Sequence, residues 1–228
     1  TRHAHPFKVT IAMQRRQLLK GIAALTIAEQ LGFLRAAWAL GDKLPPPGIF
    51  RLKGEVRING KLAREGTLVQ AGDVITTGAQ SEAIYIIGKD AYLQRDRSTV
   101  SLSGDALKGG LRVITGKLLA VFGKGDKRIE TGTATIGIRG TGCYIEAAEN
   151  KVYFCLCYGT ADIASNKAPD KVETIQTEHH EHPVILHANG SQMEAAEMIN
   201  HTDSELILLE SLLGRVPPFF GKPGYRMM

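Results

Sequence analysis

The chain has 228 residues, of which 43% are apolar and 6% aromatic, with 25 glycines, three cysteines and a formal net charge of +5. That length fits one domain of ordinary size with appendages, and the glycine-rich, aromatic-poor composition favours short strands and tight turns over long helices. The positive charge is confined to the start, because residues 1–39 hold six Lys/Arg and one Glu while residues 40–228 balance. Without that segment no basic footprint remains, which excludes a general nucleic-acid binder.

The first 39 residues read as a targeting leader, with residues 1–12 upstream of a sensible start at Met13. Arg15 and Arg16 precede Leu18, Leu19 and Lys20, as in the twin-arginine export motif. A modest apolar run follows from Gly21 to Ala28, then Ala37-Trp38-Ala39, a small-x-small cleavage site at Ala37 and Ala39. The run is far shorter than the roughly 20 residues of a membrane span. The expectation is a periplasmic protein, exported folded, with no transmembrane span in its mature part. Residues 40–50, with Pro45-Pro46-Pro47-Gly48, read as a stiff linker.

From residue 51 to 165 short apolar runs alternate with turn residues. Glu55-Val56-Arg57-Ile58 leads into Asn59-Gly60, a strong hairpin signal. Strands are predicted at Asp73–Thr77, Ala83–Ile87, Tyr92–Arg95 and Thr99–Leu102, and two more within Leu111–Phe122. The segment Thr133-Ala134-Thr135-Ile136-Gly137-Ile138-Arg139-Gly140-Thr141-Gly142-Cys143 then opens a hairpin that returns through Tyr153-Phe154-Cys155-Leu156-Cys157-Tyr158-Gly159. Its glycines do not make a phosphate loop, since no Lys-Ser/Thr follows and no helix opens there. Strands at this spacing predict a sandwich, barrel or roll.

The ordered set Asn59-Gly60, Gly72-Asp73-Val74-Ile75-Thr76-Thr77-Gly78, Gly116-Lys117-Leu118-Leu119-Ala120-Val121 and Thr133–Thr141 resembles the FecR domain, the periplasmic module of iron-uptake signalling proteins. The resemblance covers roughly residues 54–164. It implies a mainly β, FecR-like antiparallel roll or sandwich with a sensing or signalling role and an envelope protein or polymer as partner. The cytoplasmic anti-sigma region and membrane span that precede this domain in FecR are missing from the sequence, which resembles the free-standing exported form.

Strand parity divides the cysteines. If Glu149-Asn150 closes a two-residue turn, residues whose numbers sum to 299 face each other. Cys143 then opposes Leu156 and shares the core side with Ile145 and Phe154, whereas Tyr144, Tyr153, Cys155 and Cys157 point the other way. Cys143 reads as a small buried hydrophobe; a three-residue turn would bring it to the other two. Cys155 and Cys157, about 7 Å apart at Cα by strand rise, are wide of the ~5.5–6 Å that an unstrained disulfide prefers but suit two ligands of one metal.

Histidines cluster in Glu178-His179-His180-Glu181-His182-Pro183 within residues 166–228, a His-rich segment with a C-terminal helix and tail. Pro183 suggests an extended stretch in which His180 and His182 share a face, with His179 opposite. The candidate metal set is therefore Cys155, Cys157, His179 and His180, with Cys143 and His182 behind them, fit for zinc or a mixed-ligand [2Fe–2S] cluster. Helices are predicted over Met193–Ile199 and Asp203–Leu213, the second with a leucine stripe, a Thr202 or Asp203 cap and Gly214 as stop. Pro217-Pro218-Phe219-Phe220 then reads as extended, with exposed aromatics. No nucleophile arrangement stands out. The expected function is a binding or sensing module carrying a metal. A metal-free adaptor for an envelope polymer or an uptake or secretion complex is the alternative, and an enzyme comes third.

Overall fold

The computed structural model describes residues 44–103, 109–190 and 193–226. Arg15, Arg16, Leu18, Leu19, Lys20, Ala37 and Ala39, expected to belong to a leader, lie outside them. The described chain is mainly β, with many strands and one C-terminal helix. The strands are β1 (Gly48–Lys53), β2 (Val56–Ile58), β3 (Lys61–Leu62), β4 (Val74–Thr77), β5 (Glu82–Ile87), β6 (Asp90–Gln94), β7 (Thr99–Leu102) and β8 (Gly110–Val121). After them come β9 (Asp126–Glu130), β10 (Ala134–Arg139), β11 (Gly142–Ala147), β12 (Lys151–Ser165), β13 (Val172–Thr177), β14 (Val184–His187) and β15 (Glu194–Ala195). The helix α1 is Asp203–Leu212. Among the described residues no helix is long and apolar enough to cross a membrane.

Two sheets result. One runs β1-β5-β6-β8-β11-β12-β14-β15, and α1 packs on its outer face. The far sheet runs β3-β2-β4-β7-β8-β9-β10-β12-β13. Every pairing is antiparallel except β8 with β9. Strands β8 and β12 belong to both sheets. The sequence reading put two strands in Leu111–Phe122; there is one, bent at Gly116, whose φ is +91°. Gly159, at φ +104°, bends β12 in the same way. Side chains are excluded at both bends. A Cβ on Gly116 would meet the Ser98 Cα at 2.5 Å, and one on Gly159 would meet the Thr141 methyl at 2.5 Å.

Local sequence explains the smaller features. Asn59 (φ +51°) and Gly60 (φ +77°) both take the left-handed conformation that a two-residue hairpin turn demands, closing β2 onto β3. β1 begins at Gly48, so it takes up the last residues of the stretch read as linker. Between the sheets lies a core that includes Tyr85, Leu118, Ile145, Phe154 and Leu156 from one side and Ile75, Val113, Ile129, Ile136 and Ile163 from the other. One polar bridge crosses it. Gln94 donates from the helix-side sheet to the carbonyls of Ile75 and Ser98 and accepts from the Tyr85 hydroxyl.

A second core forms between the outer face of the helix-side sheet and α1, joining Ile84, Ile86, Leu93, Leu119, Tyr144, Cys155 and Cys157 to Leu206, Leu209 and Leu212. Each buried leucine contributes about 2 kcal/mol by leaving water. Thr202 caps the helix and closes a capping box with Glu205, whose other carboxylate oxygen takes Arg95 at 2.7 Å. Gly214, at φ +69°, follows the last turn. Two expectations for this region fail. Met193–Ile199 is not helical, because β15 pairs with β14 and Ala196 N–H donates to Pro183, so the sheet edge claims backbone that helix propensity would have used. Phe219 is not exposed but 2% accessible, folded back onto Tyr158.

The Gly116 bend gives a stability test by urea denaturation. Gly116→Ala is expected to cost about 3 kcal/mol or more, adding overpacking to backbone strain. Gly66→Ala, at φ +82° with nothing within 4 Å, is expected to cost only about 1 kcal/mol of strain.

Candidate metal centre

The β11–β12 hairpin has the register that a two-residue turn imposes. Cys143 faces Leu156, Tyr144 faces Cys155 and Ile145 faces Phe154. Cys143 is therefore fully buried in the inter-sheet core, where burial pushes its thiol pKa up. Cys155 and Cys157 project from the opposite face, into the second core, and are just as buried.

Two further donors reach them there. β13 stops at Thr177, and the chain turns before β14 with His180 in the left-handed conformation at φ +57°. The His180 N–H donates to the Cys157 carbonyl at 3.1 Å, pinning this turn against β12. Strand parity across residues 178–183 consequently does not apply. His180 Nδ1 lies 3.4 Å from the Cys155 Sγ. The fourth donor is His201, immediately before the Thr202 cap, with its Nε2 3.5 Å from the Cys157 Sγ and 3.2 Å from His180 Nδ1. All four donor atoms lie within 4.8 Å of one another.

His179 does not join the two cysteines. Its Nε2 sits 3.0 and 3.1 Å from the two carboxylate oxygens of Asp203. His182 is exposed on the surface, and Cys143 is on the far face of the sheet. His201 was missed because it is 44 residues from Cys157 and belongs to no spacing motif. The available signal was its place directly before a helix whose leucine stripe had to cover the Tyr144–Cys155 face.

Hydrogen-bond partners fix which ring atoms face inward. The His180 Nε2 is 3.1 Å from a carboxylate oxygen of Asp203, and the His201 Nδ1 is 2.7 Å from the Ile199 carbonyl. Both neighbours only accept, so each ring places an N–H there and its other nitrogen faces the cluster. The His201 ring is held flat on Tyr144, with ring centres 4.6 Å apart. Asp203 is buried at the first turn of α1, where the helix dipole favours a carboxylate, and also accepts from the Tyr225 hydroxyl at 3.0 Å. Such carboxylate and carbonyl partners are the usual orienting groups behind metal-bound imidazoles.

Three of the six donor separations match the edges of one tetrahedral ion. With Zn–S near 2.3 Å and Zn–N near 2.0 Å, tetrahedral edges are about 3.5 Å for S···N and about 3.3 Å for N···N. The corresponding separations are 3.4, 3.5 and 3.2 Å. A mixed-ligand [2Fe–2S] cluster fits poorly. It carries its thiolates on one iron and its imidazoles on the other, and here each sulfur is in contact with a ring nitrogen. The row Cys155, His180, Asp203 also has the order of a nucleophile, its base and an orienting carboxylate. Cys155 itself is fully buried in this arrangement.

The ion-free cluster holds charge. Hydrogen bonding with Cys157, and then with His180 and His201, outweighs burial and lowers the Cys155 thiol to about 3. For His180 burial opposes the charged ring, but Asp203 and Cys155 prevail and raise it to about 9. Cys157, more deeply desolvated and beside Cys155, is pushed well up and stays a thiol.

Comparison with known proteins adds little. No family model matches the chain, and no curated protein matches it. Two crystal structures, at 1.65 and 2.50 Å resolution, of "a putative anti-sigma factor" from Parabacteroides distasonis ATCC 8503 each superpose with a TM-score of 0.46 at 8% identity. Each superposition covers 54% of this chain and 59% of the other. So slight a likeness carries no argument about family or function.

A pH titration of metal-free protein tests the charge assignment. The raised His180 pKa contributes stability that is complete below pH 6.5 and lost as pH rises through about 9. The lowered Cys155 pKa contributes stability that is present above 9.0 and lost as pH falls through about 3. Together they make stability rise between about pH 3 and 6.5 and then level off. One thiolate per chain is expected by ultraviolet absorbance at neutral pH, and none in Cys155→Ser.

Proposed function

We propose that this chain is an exported binding or sensing module of the FecR type in which one divalent ion clasps the C-terminal helix to the β-sandwich. The observation that carries the reading is the inward orientation of two buried imidazoles, each fixed from behind, towards two buried sulfurs. Tetrahedral S₂N₂ donors favour zinc. A closed four-ligand site leaves no position for substrate, so the ion would supply folding free energy rather than Lewis-acid chemistry. Its ligands come from β12, from the β13–β14 turn and from the lead into α1. The ion would thereby cross-link three segments that are distant in sequence.

The mainly β architecture and the ordered FecR-like motifs support the module reading, and the twin-arginine motif supports export. An envelope protein or polymer is the partner this implies. In the FecR-like segment Arg139 pairs with Asp162 at 2.8 Å and with Asp126 at 3.4 Å, an exposed ionic bridge from β10 to both neighbouring strands. Its role there is structural.

Metal analysis of the purified mature chain is the test. One zinc per chain is expected, with Cys155→Ser, Cys157→Ser and His201→Ala each losing it and His182→Ala retaining it. Chelation should lower Tm, because an ion bound only by the folded state stabilises by mass action. A metal-free protein whose Tm ignores added zinc would sink the clasp and leave the polymer-binding adaptor ahead.

A further inference from the structure

Beside the buried four-donor set lies a second, shallower one. His179, His180 and Asp203 also bring their donor atoms within 4.8 Å of one another. The two sets share one ring. His180 faces the inner set with Nδ1 and the outer with Nε2, whose N–H proton must leave before that atom can ligate. They differ in access through His179 alone, whose side chain keeps 19% of its surface while those of His180 and Asp203 are fully buried. They differ in chemistry too, with nitrogen and oxygen outside and nitrogen and sulfur inside. An ion that accepts both, as zinc does, gains affinity by moving inward.

The outer set is covered by the end of the chain. The Phe219 ring lies 4.5 Å from His179 and 6.3 Å from His180, and the Tyr225 ring lies 5.3 Å from His179. The root of this strap is firmly tied, since Arg215 pairs with the buried Glu210 and donates to the Lys89 carbonyl. Its far end is held by ring packing, Tyr225 lying 5.3 Å from Phe219 and 5.9 Å from Phe220, and by few polar contacts. Lys222 meets Glu178 at 3.0 Å in an exposed ion pair, a class of contact worth about 0–1 kcal/mol. Tyr225 adds its one hydrogen bond to Asp203. Gly221 and Gly224, at φ +78° and +82° in open space, flank Lys222.

We propose that His179 and Asp203 form an entry site that captures an incoming divalent cation under the lifted strap, and that His180 relays it to Cys155, Cys157 and His201. The proposal rests on the metal-clasp reading and adds a route and a gate to it. A residue on the route, unlike a ligand of the final site, changes loading and release together and leaves affinity alone.

The experiment follows cobalt(II) loading of the apo chain, and release to a chelator, by the visible cobalt–thiolate band. His179→Ala should slow both rates by about tenfold, equivalent to ~1.4 kcal/mol of barrier, with Kd and circular dichroism unchanged. Tyr225→Phe should speed both by freeing the strap. Wild-type rates in both variants would overturn the proposal. So would a weaker Kd in His179→Ala arising from faster release alone, which would make His179 a support of the bound state. Failure of the wild-type chain to bind cobalt at all would instead remove the clasp reading on which the route depends.

Discussion

Alternation along the first half of β12 is the constraint on which the rest of this structure depends. A strand must send neighbouring side chains to opposite faces, and here both faces are buried. Phe154 and Leu156 fill the core between the sheets, while Tyr153, Cys155 and Cys157 point into the layer under α1. The helix is therefore no ornament on a finished sandwich. It supplies the apolar cover without which the outer face would leave Ile84, Ile86, Leu93 and Leu119 in water. In docking there it carries His201 and Asp203 to the cysteines.

Burial is also what gives the polar cluster its chemistry. Thiols and imidazoles this close in water would be unremarkable. Removed from solvent, each charge must be met by a partner, so the groups are locked into a fixed donor and acceptor order. That order runs from Tyr225 and His179 through Asp203 to His180 and Cys155, with the Ile199 carbonyl doing for His201 what Asp203 does for His180. Orientation of this kind is what a metal-binding set requires beforehand, and it comes from groups outside the inner four donors.

Much of this was legible in the residues. The β2–β3 hairpin, most strand positions, the α1 cap and the parity of all three cysteines follow from Asn-Gly chemistry, period-two patterning and one assumed turn length. The candidate site was legible only as far as local rules reach. Cys155, Cys157 and His180 were found because they sit in short conspicuous patterns. His201 depends on how α1 lands on a sheet formed some 50 residues earlier, and no local pattern encodes that landing. His179 entered the candidate set as the chain neighbour of His180, although parity put the two on opposite faces, and the chain turns there so that parity does not apply. The helix expected over Met193–Ile199 was lost to the same kind of nonlocal demand, an open sheet edge at β14.

The two bent strands carry a further implication. Because β8 and β12 run unbroken through both sheets, neither sheet can be peeled away without tearing hydrogen bonds in its partner. The sandwich is thus knitted by its own backbone into one cooperative unit, and partial unfolding has no seam along which to begin between the layers. The natural seam lies elsewhere, between the sandwich and the helix with its tail, where no main-chain ladder joins the two among the described residues. A fold arranged in this way lets its cover loosen while the sheet beneath keeps its register.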